Sequence, residues 1–451
     1  MVKLTPQLSS ETPRINALPH NSLVDYLEAL KFLDQHVNHE ATAGRIHGLS
    51  LDAMRSLVQI MGDPQSDFQS IHITGTNGKG SVSTMTSSLL KAAGLKVGTY
   101  CSPHVDTVRE RLKINGEMIS EEQFGDLIGE LAPFAENTVE KSSYFELLTA
   151  ASFLWFSNEA VDVAVVEVGL LGRFDATNVV ESDVSVVTNV GRDYTDGADG
   201  WRRAVASEKA GIITSGRPLI LGETSVETLD LFIRENPDPL LMKGEAFGVL
   251  SSAQAVGGQL LDVWSISGRH DEVFIPLFGD HQSENAALAL ATVETFLGAP
   301  LAEEIIEEGM STVSLPGRLE VVSANPITIF DGAHNQDASK ALSATVQDVF
   351  PETQRIVVLG MLGPREPAEV INEIVSLHPE MVICCTIPSA RAIPGEILAE
   401  IVQATGVDAE VVEDPNDAME RALALSTDED LILVTGSFYL ISVVRSSFVS
   451  D

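Results

Sequence analysis

The sequence has few cysteines and few basic residues, and each scarcity excludes a class of protein. Cysteine occurs three times in 451 residues, at Cys101, Cys384 and Cys385. This number is odd and too small for a disulfide framework, so we expect a reducing compartment. Lysine and arginine number 28 against 65 aspartates and glutamates, which gives a formal net charge of -37. General nucleic-acid binding and docking on anionic membranes are excluded, since both need clustered cations.

Long apolar runs are also missing. No stretch reaches the length that spans a membrane, and the first twenty residues lack the basic start and apolar run of a signal peptide. We therefore expect a cytoplasmic protein with a strongly solvated acidic surface. A chain of 451 residues exceeds what one hydrophobic core ordinarily organises, so two domains are expected.

The order of β-branched and helical segments indicates the fold class. From Ile71 onward, short runs such as SIHIT and DVAVVEVG alternate with helix-length segments. This alternation is typical of a mostly parallel sheet that is covered by helices. Around residues 260–278 two runs of period two, separated by a Gly-Arg-His-Asp turn at residues 268–271, indicate an antiparallel ribbon.

A domain junction is predicted between residues 298 and 316. The helix that begins near His281 ends at Gly298, and the strand and helix alternation then restarts. We predict an α/β protein in which residues 1–299 form a P-loop-containing, mostly parallel sheet domain. Residues 300–451 form a smaller, Rossmann-like α/β domain.

The segment ITGTNGKGSVST, residues 73–84, lies between an apolar strand and a helix. Its glycines allow backbone N–H groups to approach a phosphate, the helix N-terminus adds partial positive charge, and Lys79 can reach the terminal phosphates. Ser81 is suited to hold phosphate or Mg²⁺. Gly80 separates these two residues, unlike in the usual phosphate-loop motif, so an ordinary glycine-rich turn is the alternative.

A series of segments follows this loop in order: CSPHVDTVRERLKINGEMIS, YFELLTAASFLWF, VEVGLLGRFDATN, SEKAGII, GDHQSENAALA, LPGRLEVV, FDGAHN and VTGSFYL. Together with GTNGKGS they resemble folylpolyglutamate synthase and dihydrofolate synthase, which are members of the Mur ligase family. The resemblance runs from about residue 25 to about residue 445. It implies a Mur ligase central domain, followed by a C-terminal domain that closes over ATP and glutamate.

The resemblance implies that ATP lies between the two domains. Its contacts come from the phosphate loop, the HQSEN segment and the second domain: Thr76, Asn77, Gly78, Lys79, Gly80, Ser81, Asn285, Arg318 and Asp331. Arg318 is suited to neutralise charge on a transferring phosphoryl group, although a linker salt bridge is the alternative. Catalytic roles are implied for Lys79, Lys209, His334 and Arg318. His334 would orient glutamate or shuttle a proton, unless it is only a turn histidine.

The resemblance also implies a magnesium site with two ions. Glu167 ends an apolar strand, where a carboxylate can face the cleft, and Ser102 shares its metal. The family lysine at Lys209 is carbamylated, which would supply a carboxylate to a second magnesium. A solvated glutamate and an ion-paired lysine are the alternatives.

This chain departs from the family at two positions. Tyr194 stands where the family has a histidine as a further metal ligand, and a phenol is a poorer ligand than imidazole at neutral pH. The metal would then be coordinated by Asp193, Asp196 or water. Leu171 replaces a glycine that is usual in the family, in the loop expected to face the pterin. Both changes bear on catalytic rate and substrate range.

The implied substrate contacts combine aromatic rings with carboxylates. A ring can stack on a flat pterin while a carboxylate accepts its N–H donors, and these contacts fall on Tyr144, Phe145, Glu146, Phe174, Asp175 and Ala176. A core phenylalanine beside a surface acid is the alternative. Residues 34–41 lie where the family places further contacts, and Ser437 would help hold the amino acid.

The resemblance predicts an ATP-dependent ligase that adds L-glutamate to dihydropteroate, to reduced folates, or to both, through an acyl phosphate. A monomer whose partners are these small molecules is expected. Two alternatives are another Mur-type amide ligase with a different substrate, and a nucleotide-binding regulator whose catalysis has lapsed. The departures at Tyr194 and Leu171 motivate the second of these.

Overall fold

A computed structural model describes residues 24–38, 50–192, 197–351 and 353–448 of the chain. Within these residues, every helix is too short or too polar to cross a membrane. The helices of the part that precedes residue 300 are α1 (Tyr26–Asp34), α2 (Asp52–Ile60), α3 (Lys79–Ala92), α4 (Glu121–Asn137), α5 (Tyr144–Asn158), α6 (Trp201–Ala210), α7 (Val226–Arg234) and α8 (Asp280–Leu297).

The first sheet has the order β4-β3-β2-β5-β1-β6-β7-β8. Its strands are β1 (Gln69–Thr74), β2 (Val97–Tyr100), β3 (Leu112–Ile114), β4 (Glu117–Met118), β5 (Val163–Glu167), β6 (Val184–Val187), β7 (Leu219–Leu221) and β8 (Leu240–Met242). The central strand β1 pairs in parallel with both β5 and β6, and only the β2–β3–β4 edge is antiparallel. The predicted mostly parallel sheet is confirmed.

Alternate residues of β1 face opposite helical layers, as the two-residue period of a strand requires. Ile71 and Ile73 pack on α3 and α8 in one core cluster, whereas the other face of the sheet packs on α5 through a second cluster. Helix α5 is apolar on nearly every side and mostly buried. The central strand is therefore fixed from both sides, which gives the segment after Thr74 a rigid support.

The antiparallel ribbon predicted near residues 260–278 is confirmed, but its predicted turn is wrong: the chain reverses at Ile266 and Ser267, and residues 268–271 already belong to the second strand. Strands β10 (Gly258–Ser265) and β11 (Gly268–Ile275) pair in antiparallel register, and β9 (Gly248–Ala255) adds a third strand on the other side of β10. The ribbon packs against α8. It therefore decorates the first part of the chain, as its position in the sequence indicates.

The second sheet has the order β12-β13-β17-β14-β15-β16. Its strands are β12 (Glu320–Ala324), β13 (Ile327–Asp331), β14 (Arg355–Leu359), β15 (Met381–Cys384), β16 (Ala409–Val411) and β17 (Leu431–Thr435). The helices are α9 (Glu303–Ser311), α10 (Gln336–Val349), α11 (Pro367–Val375), α12 (Gly395–Ala404), α13 (Pro415–Leu425) and α14 (Phe438–Arg445). Apart from β12, which is antiparallel to β13, the strands pair in parallel. The second α/β unit is thus also confirmed.

Helix α9 packs on the first unit rather than on the second sheet. Ile306 and Met310 are buried in the cluster that contains Leu89 of α3, and a Cβ added at Gly309 would lie 2.9 Å from the Cα of Leu89. The boundary predicted at residues 299–300 stays a prediction. We propose that the junction lies at residues 314–316, within the stretch indicated by the sequence.

This close packing makes α9 sensitive to a larger side chain. We expect Gly309→Val to destabilise the protein by about 1–3 kcal/mol, because the two backbones would have to separate. Glu308→Val changes the exposed face of the same helix and serves as the control. Valine forms helix better than glycine but less well than glutamate, so helix propensity alone would make Gly309→Val the more stable variant, and a lower stability of Gly309→Val must come from packing. Equal midpoints of urea denaturation for the two variants would contradict the packing described.

Candidate active site

A cleft of about 350 Å³ lies between the two sheets. It opens where β1, β5 and β6 end on one side and where β13 and β17 end on the other. Crevices at the carboxyl ends of parallel strands are the usual ligand sites of such folds. The predicted residues that line the cleft are Thr76, Asn77, Gly78, Lys79, Gly80, Ser81, Ser102, Glu167, Asn285, Arg318, Asp331, His334 and Ser437.

The glycine-rich loop passes too close to its neighbours to accept side chains. A Cβ at Gly75 would lie 1.7 Å from the Oγ1 of Thr188, and one at Gly78 would lie 2.6 Å from the Oδ1 of Asn285. Gly78 is also in the left-handed region, with φ 84°, and directly precedes α3. The close packing therefore places the backbone N–H groups of the loop beside the N-terminus of α3, which is the arrangement that binds an anion.

Lys79 closes over this loop from the first turn of α3. Its Nζ donates to the carbonyl oxygens of Gly75 at 3.0 Å and Thr76 at 3.3 Å. Asn77 is held from the opposite side, because its N–H donates to the Asn189 Oδ1 and its carbonyl oxygen accepts from Thr188. The ammonium and the loop backbone are thus fixed in relation to each other.

Glu167, the last residue of β5, is only 3% exposed. Its Oε2 accepts from the backbone N–H of Ser102 at 3.2 Å. Burial raises the pKa of this carboxyl, and the nearby Lys79 ammonium opposes that rise. A carboxylate in such a place is stabilised by further positive charge, which a divalent cation would supply.

The residues present fit magnesium. Carboxylate and hydroxyl oxygens from Glu167 and Ser102 are hard ligands of the kind that Mg²⁺ prefers. Across the described residues no group of three or more histidine, cysteine, aspartate or glutamate side chains forms a metal cage. A site of few protein ligands, completed by phosphate oxygens and waters, matches the habit of Mg²⁺.

The second unit contributes a buried cation, a carboxylate and a histidine. The Arg318 guanidinium lies 4.2 Å from the centroid of the Phe438 ring. Burial lowers the pKa of Arg318, which Asp331 and Glu167 counteract. Asp331 accepts from the N–H groups of Leu319 and Ala333, both at 2.8 Å. These bonds fix the carboxylate at the end of β13.

His334 is held in one orientation. Its Nδ1 lies 2.8 Å from the carbonyl oxygen of Gly332, which can only accept, so Nδ1 carries the proton and Nε2 keeps its lone pair. Burial, reinforced by the charge of Arg365, lowers the pKa of His334 well below its usual value. The ring is therefore a neutral base at physiological pH.

An amide pair joins the phosphate loop to the second unit. The Asn77 Nδ2 donates to the Asn335 Oδ1 at 3.3 Å, and the Asn335 Nδ2 donates to the Asn77 Oδ1 at 3.0 Å. Asn335 is also the N-cap of α10, since its Oδ1 accepts from the Ala338 N–H. The start of α10 is thus tied directly to the loop.

Comparisons with known proteins agree with this arrangement. Family models for the Mur ligase middle domain and for the Mur ligase glutamate ligase domain match residues 73–293 and 317–438. A dihydrofolate synthase/folylpolyglutamate synthase of Mycobacterium tuberculosis is 33% identical over 441 residues, which covers 89% of this chain and 90% of the relative. The chain belongs to the folylpolyglutamate synthase/dihydrofolate synthase family of Mur ligases. It is an ATP-dependent, amide-forming ligase.

Solved structures of the family superpose on this ligase over most of its length. The folylpolyglutamate synthase of Mycobacterium tuberculosis complexed with ADP and AMPPCP has a TM-score of 0.87 at 31% identity, and covers 94% of this chain and 98% of that one. A bifunctional folylpolyglutamate synthase/dihydrofolate synthase with Mn, AMPPNP and L-glutamate bound has a TM-score of 0.83 at 27% identity, with 96% and 99% covered.

Several predicted residues of the ligase do not line the cleft. Tyr144, Phe145 and Glu146 begin α5, and Phe174, Asp175 and Ala176 lie in a loop after β5. The carboxylate of Glu146 accepts from the Ser143 N–H at 2.6 Å, and that of Asp175 accepts from Leu170 and Thr177. The partner of Glu146 had a sequence signal, because Ser143 and Glu146 form an S-x-x-E capping box, whereas the partners of Asp175 had none. Their contact with a pterin stays a prediction.

The other predicted metal ligands either do not line the cleft with Glu167 and Ser102 or lie outside the described residues. Lys209 is fully buried at the end of α6, behind Gly172, and is not part of the cleft wall. Its carbamylation stays a prediction. Tyr194, Asp193 and Asp196 lie outside the described residues, as does the second part of the 34–41 stretch.

Part of the cleft of the ligase was not predicted from the sequence. Cationic and polar side chains without a predicted role also line the wall: Asn189, His281, Gln282, Asn335, Arg365 and Arg391. Gln282 belongs to the HQSEN segment and Asn335 to the FDGAHN segment, so the motifs contained a signal for both. Arg365 and Arg391 come from loops after β14 and β15 that no quoted segment covers.

The buried carboxylate of the ligase provides a direct test of the metal site. We expect Glu167→Gln to fold, because burial already favours the neutral form of this group. The variant should bind Mg²⁺ with ADP more than about tenfold more weakly, since a ligand charge is lost. Calorimetric titration of Mg²⁺ into the ADP complex measures this, with the surface variant Glu159→Gln as control. An unchanged affinity would exclude Glu167 as a ligand.

Proposed function

We propose that this ligase adds L-glutamate to a pterin acid, either dihydropteroate, reduced folates or both, through an acyl phosphate. The observation that carries the proposal is the cleft itself, in which the phosphate loop and Glu167 face Arg318 and His334 across 350 Å³. A lapsed regulator is not favoured, because it would have no need of this arrangement of charges. Another Mur-type substrate is not favoured by the names of the relatives.

The first step is phosphoryl transfer. A carboxylate oxygen of the pterin acid attacks the γ-phosphorus of ATP, the bond to the bridging oxygen breaks, and ADP leaves. Lys79 and Arg318 lie on opposite walls and stabilise the negative charge that develops on the transferring group. Glu167 and Ser102 would hold magnesium, which would supply positive charge that neutralises part of the phosphate charge.

The second step forms the amide. The ammonium group of glutamate must lose a proton before its nitrogen attacks the acyl carbon, and phosphate then leaves. We assign the removal of this proton to His334, because its Nδ1 is committed to Gly332 and its Nε2 is a neutral acceptor. A buried, uncharged imidazole suits this role better than a charged one.

Glutamate carries two carboxylates that need cationic partners in a strongly acidic protein. Arg365 and Arg391 line the second-unit wall of the cleft beside Ser437. The Nε of Arg391 is buried and has no partner among the described residues. We assign the carboxylates of the incoming glutamate to these two arginines, since a guanidinium binds a carboxylate through paired hydrogen bonds.

Two features of the metal site are further proposals. Lys209 is fully buried, and a carbamate on its amine would turn a cation into a carboxylate able to hold a second magnesium. We therefore keep carbamylated Lys209 and a second magnesium as part of the proposal. Tyr194 in place of a histidine would weaken that second site. The cleft is completed by one chain, so we also propose that the ligase acts as a cytoplasmic monomer.

The function is tested by ATP-dependent coupling of labelled glutamate to dihydropteroate and, separately, to tetrahydrofolate. We expect product from at least one acid, together with one ADP per amide bond. Lys79→Met should lower the rate by about a hundredfold or more, because charge stabilisation is lost, while Lys91→Met on the exposed face of α3 should not. No product from either acid would overturn the proposal.

The glutamate site is tested separately. We expect Arg391→Gln to raise the KM for glutamate by about ten- to a hundredfold, the effect of losing a charged hydrogen-bonding partner. The KM for ATP should stay unchanged, because Arg391 is assigned to the amino acid alone. Arg421→Gln, on the surface of α13, is the matched control. A KM for glutamate equal to that of the control would remove Arg391 from the site.

A further inference from the structure

The segment Gly169–Thr177, called here the 169–177 loop, begins two residues after Glu167. Gly169 and Leu170 line the cleft, and the Phe174 side chain is 44% exposed. Leu171 has φ 59°, a left-handed backbone conformation that is strained for a residue with a side chain. A strained conformation at a cleft persists only where surrounding contacts determine it.

One contact that holds the strained residue comes from β1. The buried Thr74 hydroxyl, at the end of this strand, donates to the carbonyl oxygen of Leu171 at 2.7 Å. The Leu171 side chain packs against the apolar cluster that contains Val187 and Val205. These contacts fix the middle of the 169–177 loop. The same Thr74 directly precedes the phosphate loop.

A second connection from β1 reaches the end of the loop through a buried chain of hydrogen bonds. The Thr177 hydroxyl lies 2.9 Å from the Nε2 of His72 and 2.5 Å from the Oδ1 of Asp175. Asp175 also accepts from the Leu170 N–H at 2.7 Å through its other oxygen. The chain therefore runs from the central strand to the cleft-lining start of the loop.

The direction of every bond in this chain is determined. Burial raises the pKa of Asp175, which its Thr177 and Leu170 donors oppose. Both oxygens of Asp175 accept from backbone N–H groups, Oδ2 from Leu170 and Oδ1 from Thr177, and the Thr177 hydroxyl also donates its hydrogen to Oδ1. The hydroxyl oxygen must then accept from His72, which carries its proton on Nε2. Burial lowers the pKa of His72 to about 3, so the ring is neutral.

The stability of the core does not explain why a histidine occupies position 72. Its Nδ1 is buried without a hydrogen-bond partner within the described residues, and such an atom is costly. An apolar side chain would fill the same space without that cost. What the histidine adds is a donor that orients Thr177 and, through it, Asp175.

We infer that His72 and Thr177 are positioning residues for the acid substrate, which hold the 169–177 loop in its binding conformation before the substrate arrives. The inference rests on the proposed function, because it takes this loop with Phe174 as one wall of the pterin-acid site. Strand β1 then fixes the positions of both the phosphate loop and the 169–177 loop. The two reacting groups are aligned by a single element.

Three variants test the inference. Thr177→Val keeps the shape of the side chain but removes the hydroxyl, His72→Leu removes the donor, and Thr177→Ser restores the hydroxyl. We expect the first two to raise the KM for the accepted pterin acid by about tenfold, with the KM for ATP unchanged and kcat within about twofold. Thr177→Ser should behave like the wild type. The His72→Leu protein should melt no lower than the wild type.

Two results would overturn the inference. One is an unchanged KM for the acid in both Thr177→Val and His72→Leu; the other is an equal rise in the KM for ATP, which would indicate a general structural effect.

Hydrogen–deuterium exchange of the substrate-free proteins gives a readout that does not depend on activity. We expect the peptide that contains the Leu170 amide to exchange at least about tenfold faster in Thr177→Val than in the wild type. Unchanged exchange would overturn the inference. A wild type that turns over no pterin acid would instead overturn the proposed function. The exchange result would still show whether the Thr177 hydroxyl holds the 169–177 loop in place.

Discussion

The cleft depends on the charge of one buried carboxylate. Glu167 lies at the end of a central strand, where water is largely excluded and where its ionised form needs neighbouring positive charge. Lys79 supplies part of that charge from the first side of the cleft and Arg318 from the other. The glycine-rich loop, the N-terminus of α3 and the second unit all converge on this point. A divalent cation would add positive charge beside Glu167, and nucleotide phosphates would add negative charge beside Lys79 and Arg318.

The second unit contributes to the balance only while it is docked. Its polar contacts with the first unit include the amide pair of Asn77 and Asn335, and the ion pairs of Arg192 with Glu369 and Arg445 with Asp106. Val105 and Phe278 of the first unit also pack on its apolar clusters. Partly exposed ion pairs of this kind contribute little to stability. The interface is therefore suited to opening for substrates and closing for the reaction, as other enzymes do with mobile domains.

The sequence allowed the fold to be predicted, because strand and helix periods are local properties. The residues of the phosphate loop, Glu167 and Arg318 were likewise found, since each belongs to a recognisable segment. Pairings between distant segments were not predictable. Glu146 closes a capping box whose S-x-x-E pattern is visible in the sequence, whereas Asp175 organises its own loop and looks the same in the sequence as a ligand-binding carboxylate. Arg391 was missed because only the folded chain brings its loop to the cleft.

The amide pair between Asn77 and Asn335 has a thermodynamic consequence. Asn77 belongs to the loop that surrounds the phosphates, and Asn335 begins the helix through which the second unit approaches. A nucleotide that binds more tightly when Asn77 is paired with Asn335 would favour the docked arrangement of the two units. Linkage makes the effect reciprocal, so docking strengthens nucleotide binding by the same factor. The two side-chain amides are thus a direct contact through which the phosphate site and the second unit can be coupled.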